Sequence, residues 1–187
     1  MMKKLCLLMV LALGMSLFPA GAQDTPETVA AEEASGLPVV AQILSEAKFL
    51  TKKKPNLKAR YFIFLRSTSW CVPCHMICPQ LLKDYSKMKS SKAELILLGQ
   101  EEEATVRQYM KEHGFKCPGV LGAELGEIPG FDLSGFASPA LCIVTADGRF
   151  VGKLGGTNMY TWRKMLKAYQ AEEARKKRAE KQSSRPE

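Results

Sequence analysis

The chain has 187 residues, 46% hydrophobic and 25% charged, with a formal net charge of +8. Its length and apolar content suit one domain with a real core. The basic excess sits in Lys52, Lys53 and Lys54, in Lys58 with Arg60, and in Arg175 to Arg178, and no aromatic residues interleave the basic tail. That composition excludes a base-stacking nucleic-acid platform at the tail and reads as solvated loops and a helix face.

Residues 1–22 open with Lys3 and Lys4, continue through an apolar run from Leu5 to Phe18 and end in Ala20-Gly21-Ala22. This is the pattern of a secretory signal peptide, with cleavage expected after Ala22. The apolar run is shorter than the ~20 residues that span a bilayer, so no stable membrane insertion is expected after cleavage. Removing Lys3 and Lys4 lowers the charge from +8 to +6 and leaves Cys71, Cys74, Cys78, Cys117 and Cys142. An odd number of cysteines in an oxidising compartment leaves at least one free, intermolecular or reactive.

Residues 23–36 are acidic and small and read as a flexible leader. From Leu37 to Lys54 the apolar residues Val39, Val40, Ile43, Leu44, Ala47 and Leu50 recur at helical spacing, and Pro55-Asn56 ends the predicted helix. Tyr61 to Leu65 and Leu95 to Leu98 are continuous apolar runs, the pattern of strands buried on both faces. Between them Cys74, Ile77, Cys78, Leu81, Leu82, Tyr85 and Met88 mark one amphipathic helix, which completes a βαβ unit with parallel strands. A helix from Glu101 to His113 carries glutamates at its N-terminal end and stops at Gly114. Leu141 to Val144 and Phe150 to Gly152 flank Asp147-Gly148, the signature of a β-hairpin. A last helix starts near Asn158 and buries Met159, Trp162, Met165, Leu166 and Tyr169. After Ala171 the sequence is polar all round, and the helix is expected to leave the core and fray. The predicted fold class is α/β: a central mixed sheet, made of a βαβ half and a C-terminal hairpin, flanked by helices. The predicted organisation is a domain over residues 37–170 and a charged tail over 171–187.

The chemistry concentrates in Trp70-Cys71-Val72-Pro73-Cys74-His75. Cys-x-x-Cys-His is also the attachment motif of c-type haem, in which both sulfurs become thioethers and the histidine binds iron. A mixed sheet is not the architecture of a small, mainly helical cytochrome. In the redox reading each flank has a role. The buried strand fixes the turn, and the helix N-terminus favours a thiolate on Cys71. Pro73 loses no hydrogen bond, because its N–H would be unpaired there. His75 is read as an exposed first-turn residue.

The segment WCVPCHMICPQLL, including the helix-kinking Pro79, resembles the active-site helix of thioredoxins. ASPALCIVTADGRFVGKLGG resembles that family's cis-proline strand, hairpin and glycine-bearing groove. With the secretory leader, the likeness points to the extracytoplasmic TlpA/ResA-like branch of the thioredoxin superfamily and covers roughly residues 37–170. The resemblance implies a thiol–disulfide oxidoreductase in which Cys71 is the exposed nucleophile and Cys74 the shielded resolving thiol. It implies a cis Ser138-Pro139 bond beside them. Trp70, Ser138, Pro139 and Gly155 would form the substrate lip, with Gly155-Gly156 leaving room for an extended backbone. It further implies protein thiol or disulfide substrates, an upstream membrane or periplasmic electron donor, a monomer, and a periplasmic or secreted location; a reductant's role is expected ahead of an oxidase's or isomerase's, and the sequence leaves all three open. One position departs from the family: its buried acid, six residues before the first cysteine, is replaced by Leu65.

No cofactor and no metal are expected. A zinc site from Cys71, Cys74, His75 and Cys78 would crowd its ligands into two helical turns with Cys78 facing inward. Cys142 and Cys78 read as small buried hydrophobes, and Cys117 as the start of a strand or loop. Two other function classes stay open: a thioredoxin-fold binding module or chaperone without redox turnover, and a haem electron carrier.

Overall fold

The computed structural model describes residues 36–184. The expected signal peptide and nearly all of the expected leader lie outside the described residues. The element order is α1 (Val39–Glu46), β1 (Tyr61–Arg66), α2 (Val72–Lys83), α3 (Tyr85–Ser90), β2 (Ala93–Gly99), α4 (Glu103–Glu112), β3 (Gly119–Leu121), β4 (Ala140–Thr145), β5 (Phe150–Gly155) and α5 (Trp162–Ser183). The five strands form one sheet in the order β3-β2-β1-β4-β5. β1, β2 and β3 run parallel, while β4 pairs antiparallel with both β1 and β5. The βαβ half and the hairpin half therefore meet at β1, whose residues Tyr61 to Leu65 are all buried.

Two cores follow from the two-residue alternation of β1. Tyr61, Ile63 and Leu65 pack with Cys74, Cys78 and Leu81 of α2 and with Trp162 and Leu166 of α5. Phe62 and Phe64 pack on the opposite face with Val40 and Leu44 of α1 and with Ile128 and Leu133 of the connection before β4. The hairpin turns at Gly148, whose φ of +85° suits glycine, and the Thr145 N–H donates to the Arg149 carbonyl at 2.9 Å.

Three helical expectations need correction. The first helix ends at Glu46 instead of running to Lys54, because the sheet edge captures the chain that follows it. Phe49 bridges antiparallel to Val120, and the Leu50 N–H donates to the Gly119 carbonyl at 2.7 Å. The single helix expected after the redox motif breaks at Asp84 into α2 and α3. There the Asp84 N–H turns back to the Leu81 carbonyl at 3.0 Å, and its carboxylate accepts from Lys87 at 2.6 Å and from Trp162 Nε1–H at 3.3 Å. The last helix does not fray at Ala171; after a 3₁₀ turn over Gly156–Thr161, α5 continues to Ser183. Good helix formers and i,i+4 pairs such as Glu172–Lys176 at 2.9 Å sustain it beyond the core.

Candidate active site

Cys71 is the N-cap of α2 and forms a disulfide with Cys74, with the two Cα atoms 5.2 Å apart. The Cys74 N–H points at the Cys71 sulfur at 3.2 Å and donates to the Cys71 carbonyl at 2.9 Å. A backbone donor aimed at that sulfur stabilises negative charge there when the bond opens. The Ser138–Pro139 bond is cis, and the Ser138 carbonyl oxygen lies 3.3 Å from Cys71 Sγ. In the oxidised pair this is a close contact; the Cys71 S–H, once formed, has an acceptor in place. The carbonyl of Pro139 is taken by the Gly156 N–H at 3.3 Å.

Burial divides the motif sharply. Cys71 is 4% exposed and Cys74 is fully buried, whereas Trp70, Val72 and Met76 are 73%, 70% and 74% exposed. The expected exposure of Cys71 is thus corrected for the disulfide state: its sulfur sits under the Ser138 carbonyl. Trp70 does not pack into the core but forms, with Val72 and Met76, an apolar surface around the buried disulfide. Gly155 differs from expectation too. A Cβ built there would fall 2.6 Å from Cδ1 of Phe136, so the Phe136 ring occupies the room attributed to a substrate.

His75 is half-buried rather than exposed. Its Nε2 donates to the Ser69 carbonyl at 2.6 Å, and its ring stacks edge-on to His113 and Tyr109, with centroids at 4.5 and 5.7 Å. The Ser69 N–H and Oγ–H both donate to Glu101, at 2.6 and 2.5 Å. All three hydrogen-bonding functions of Ser69 are therefore fixed one residue before Trp70. Sequence reasoning missed Glu101 and Ser69. Their signal was position: Glu101 follows β2 at the carboxyl end of the parallel strands, where functional side chains gather.

Among the described residues the remaining thiols, Cys78, Cys117 and Cys142, are buried and free. Burial pushes the Cys78 and Cys142 thiols up, and pushes Cys117 up to about 12. Cys78 Sγ is 3.4 Å from Ser67 Oγ, which in turn is 2.7 Å from the Tyr109 hydroxyl. Burial likewise raises the Tyr109 phenol to about 12. Leu65 is fully buried at the position where the family carries an acid. The buried Glu94 does not replace it: it pairs in register with Phe62, towards the far end of β1, and accepts from the Tyr85 hydroxyl at 2.6 Å.

No family model matches the sequence, and no curated protein matches it. Solved structures do. A DsbF homologue from Corynebacterium diphtheriae is 15% identical with a TM-score of 0.50, over 65% of this chain and 82% of that one. A thioredoxin-family thiol:disulfide interchange protein from Chlorobium tepidum TLS is 19% identical with a TM-score of 0.47, over 60% of this chain and 81% of that one. StoA from Bacillus subtilis is 21% identical with a TM-score of 0.41, over 53% of this chain and 75% of that one. At 15% identity the likeness to the DsbF homologue speaks to fold alone. Taken with the strand order and the cis proline beside the cysteine pair, it identifies this chain as a thioredoxin fold carrying a Cys71-x-x-Cys74 disulfide at the start of its first long helix.

Proposed function

We propose that the chain is an extracytoplasmic thiol–disulfide oxidoreductase that reduces disulfides in exported proteins. The observation that carries this reading is a Cys-x-x-Cys disulfide held at a helix N-terminus, 3.3 Å from the Ser138 carbonyl that precedes the cis proline, with exposed apolar side chains at Trp70, Val72 and Met76. In the reduced enzyme, Cys71 thiolate attacks one sulfur of a substrate disulfide. A Cys71–substrate mixed disulfide forms and the other substrate sulfur leaves as a thiolate. Cys74 thiolate then attacks Cys71 Sγ, closing Cys71–Cys74 and releasing the second substrate thiol. Two electrons pass to the substrate, and an upstream dithiol donor restores the enzyme. Trp70, Ser138 and Pro139 form the lip on which an extended, apolar substrate segment docks, and the unit acts as a monomer.

A reductant's role is supported by the modest help the Cys71 thiolate receives. One amide points at its sulfur, and the neighbouring His75 is committed to the Ser69 carbonyl. Strong thiolate stabilisation makes a dithiol oxidising, so a weakly assisted one lies towards the thioredoxin end of the scale, near ~−270 mV, away from the ~−120 mV of a strong oxidant. Cys74→Ala is expected to accumulate mixed disulfides through Cys71, while Cys71→Ala accumulates few; diagonal non-reducing gels on extracts of the native host read this out. Equal trapping by both variants, or trapping by neither, would favour a binding module without turnover. Visible absorbance of the purified protein separates both from a haem carrier.

A further inference from the structure

The connection from residue 122 to residue 139 leaves a cleft of about 550 Å³ against the sheet, on the face away from α2. It sits at the carboxyl ends of β1 and β2, where open α/β sheets bind ligands. Its volume falls within the ~300–1,000 Å³ of small-molecule sites. Leu98, Phe131 and Leu133 supply apolar walls, and Arg66, Gln100 and Ser134 supply polar groups. Arg66 ends β1, where the alternation that buries Phe62 and Phe64 on this face reaches a charge.

Arg66 Nε is buried and has no hydrogen-bond partner among the described residues, nor does Arg66 take part in any ion pair among them. The single carboxylate on the lining, Glu127, is an exposed residue. A guanidinium nitrogen withdrawn from water without a partner is unfavourable, and an apolar residue there would simply extend the core. The planar fork of arginine matches a carboxylate's two oxygens, and the walls match an alkyl or aromatic body.

We propose that this cleft binds a small organic carboxylate with an apolar body, its head group on Arg66 and its body against Leu98, Phe131 and Leu133. The site is independent of the cysteine pair, although Arg66 pairs in register with Ala140, directly after Pro139. The test is titration of the ¹⁵N-labelled chain, disulfide intact, with sodium octanoate and separately with octan-1-ol, following the Arg66 Nε–H resonance and, in the variant as well, the backbone amides of the lining residues Leu98 and Leu133. Octanoate is expected to give a saturable shift, with the alcohol binding at least about tenfold more weakly, since the charge-assisted contact is lost. Arg66→Met, which keeps the apolar stem, is expected to bind octanoate no better than the alcohol. An absent or unsaturable shift, equal affinity for the alcohol, or undiminished octanoate binding by Arg66→Met would each overturn the proposal. Should Arg66→Met fail to fold, the comparison of octanoate with octan-1-ol on the unaltered chain decides it.

Discussion

At the scale of single residues, five cysteines that look alike in the sequence are divided by their surroundings. In the reduced protein Cys71 is expected to alkylate first, because it caps a helix and has an amide aimed at its sulfur. Cys117, raised to about 12 by burial, is held as the unreactive thiol at pH 8. Peptide mapping after a limiting dose of iodoacetamide checks the order, and modification of Cys117 or Cys78 ahead of Cys71 would contradict it. Glu101 is the second residue whose role is testable. It accepts both donors of Ser69, so Glu101→Ala should cost about 1.5–3 kcal/mol of stability and strip protection from the Ser69 amide. Urea melts and hydrogen exchange read the two effects separately; a Ser69 amide that stays protected would mean the carboxylate is not what holds the loop.

At the scale of elements, the structure depends on how closely helices approach the sheet. Gly99 ends β2 beneath α4, and a Cβ there would lie 2.7 and 2.8 Å from the two γ-methyls of Val106. Gly99→Ala is therefore expected to destabilise by about 1–3 kcal/mol through overpacking, and Val106→Ala in the same chain should return part of that loss. A double-mutant cycle in urea measures the coupling, and strict additivity would show that the two groups do not meet. The helix break at Asp84 belongs to the same scale. The apolar periodicity from Cys74 to Met88 runs through it, so the pattern reads as one helix. The break comes from a partner 78 residues away, Trp162, whose indole N–H bonds the Asp84 carboxylate.

For the molecule as a whole, that bond ties α5 to the end of α2 and makes stability sensitive to acid. Burial works against ionising Asp84, but hydrogen bonds from Lys87 and Trp162 outweigh it and hold the carboxyl below its ordinary value of 3.8. A folded-state pKa below the unfolded one contributes stability that is present above about pH 4 and lost as pH falls through the folded value. Asp84→Asn should thus make the loss of stability below about pH 4 shallower, as measured by urea unfolding across a pH series. An unchanged slope would assign acid sensitivity to other carboxylates.

The sequence alone determined four of the five strands, the parallel βαβ half, the hairpin and the cysteine pair, because each is written in local pattern: apolar runs, Asp-Gly, and two sulfurs three residues apart; the short edge strand β3 read only as strand or loop. Resemblance added the Ser138-Pro139 geometry, whose partner Cys71 is distant in the chain. Only the tertiary structure decided where the helices at Glu46 and Asp84 stop, since sheet-edge pairing with Val120 and the Trp162 bond compete there with helical propensity. It also decided that Phe136 fills the space over Gly155, that Ser69 is held by Glu101 and His75, and that Arg66 meets a cleft. Each of these joins residues on separate elements, and no local pattern records which side chain a folded chain brings opposite another.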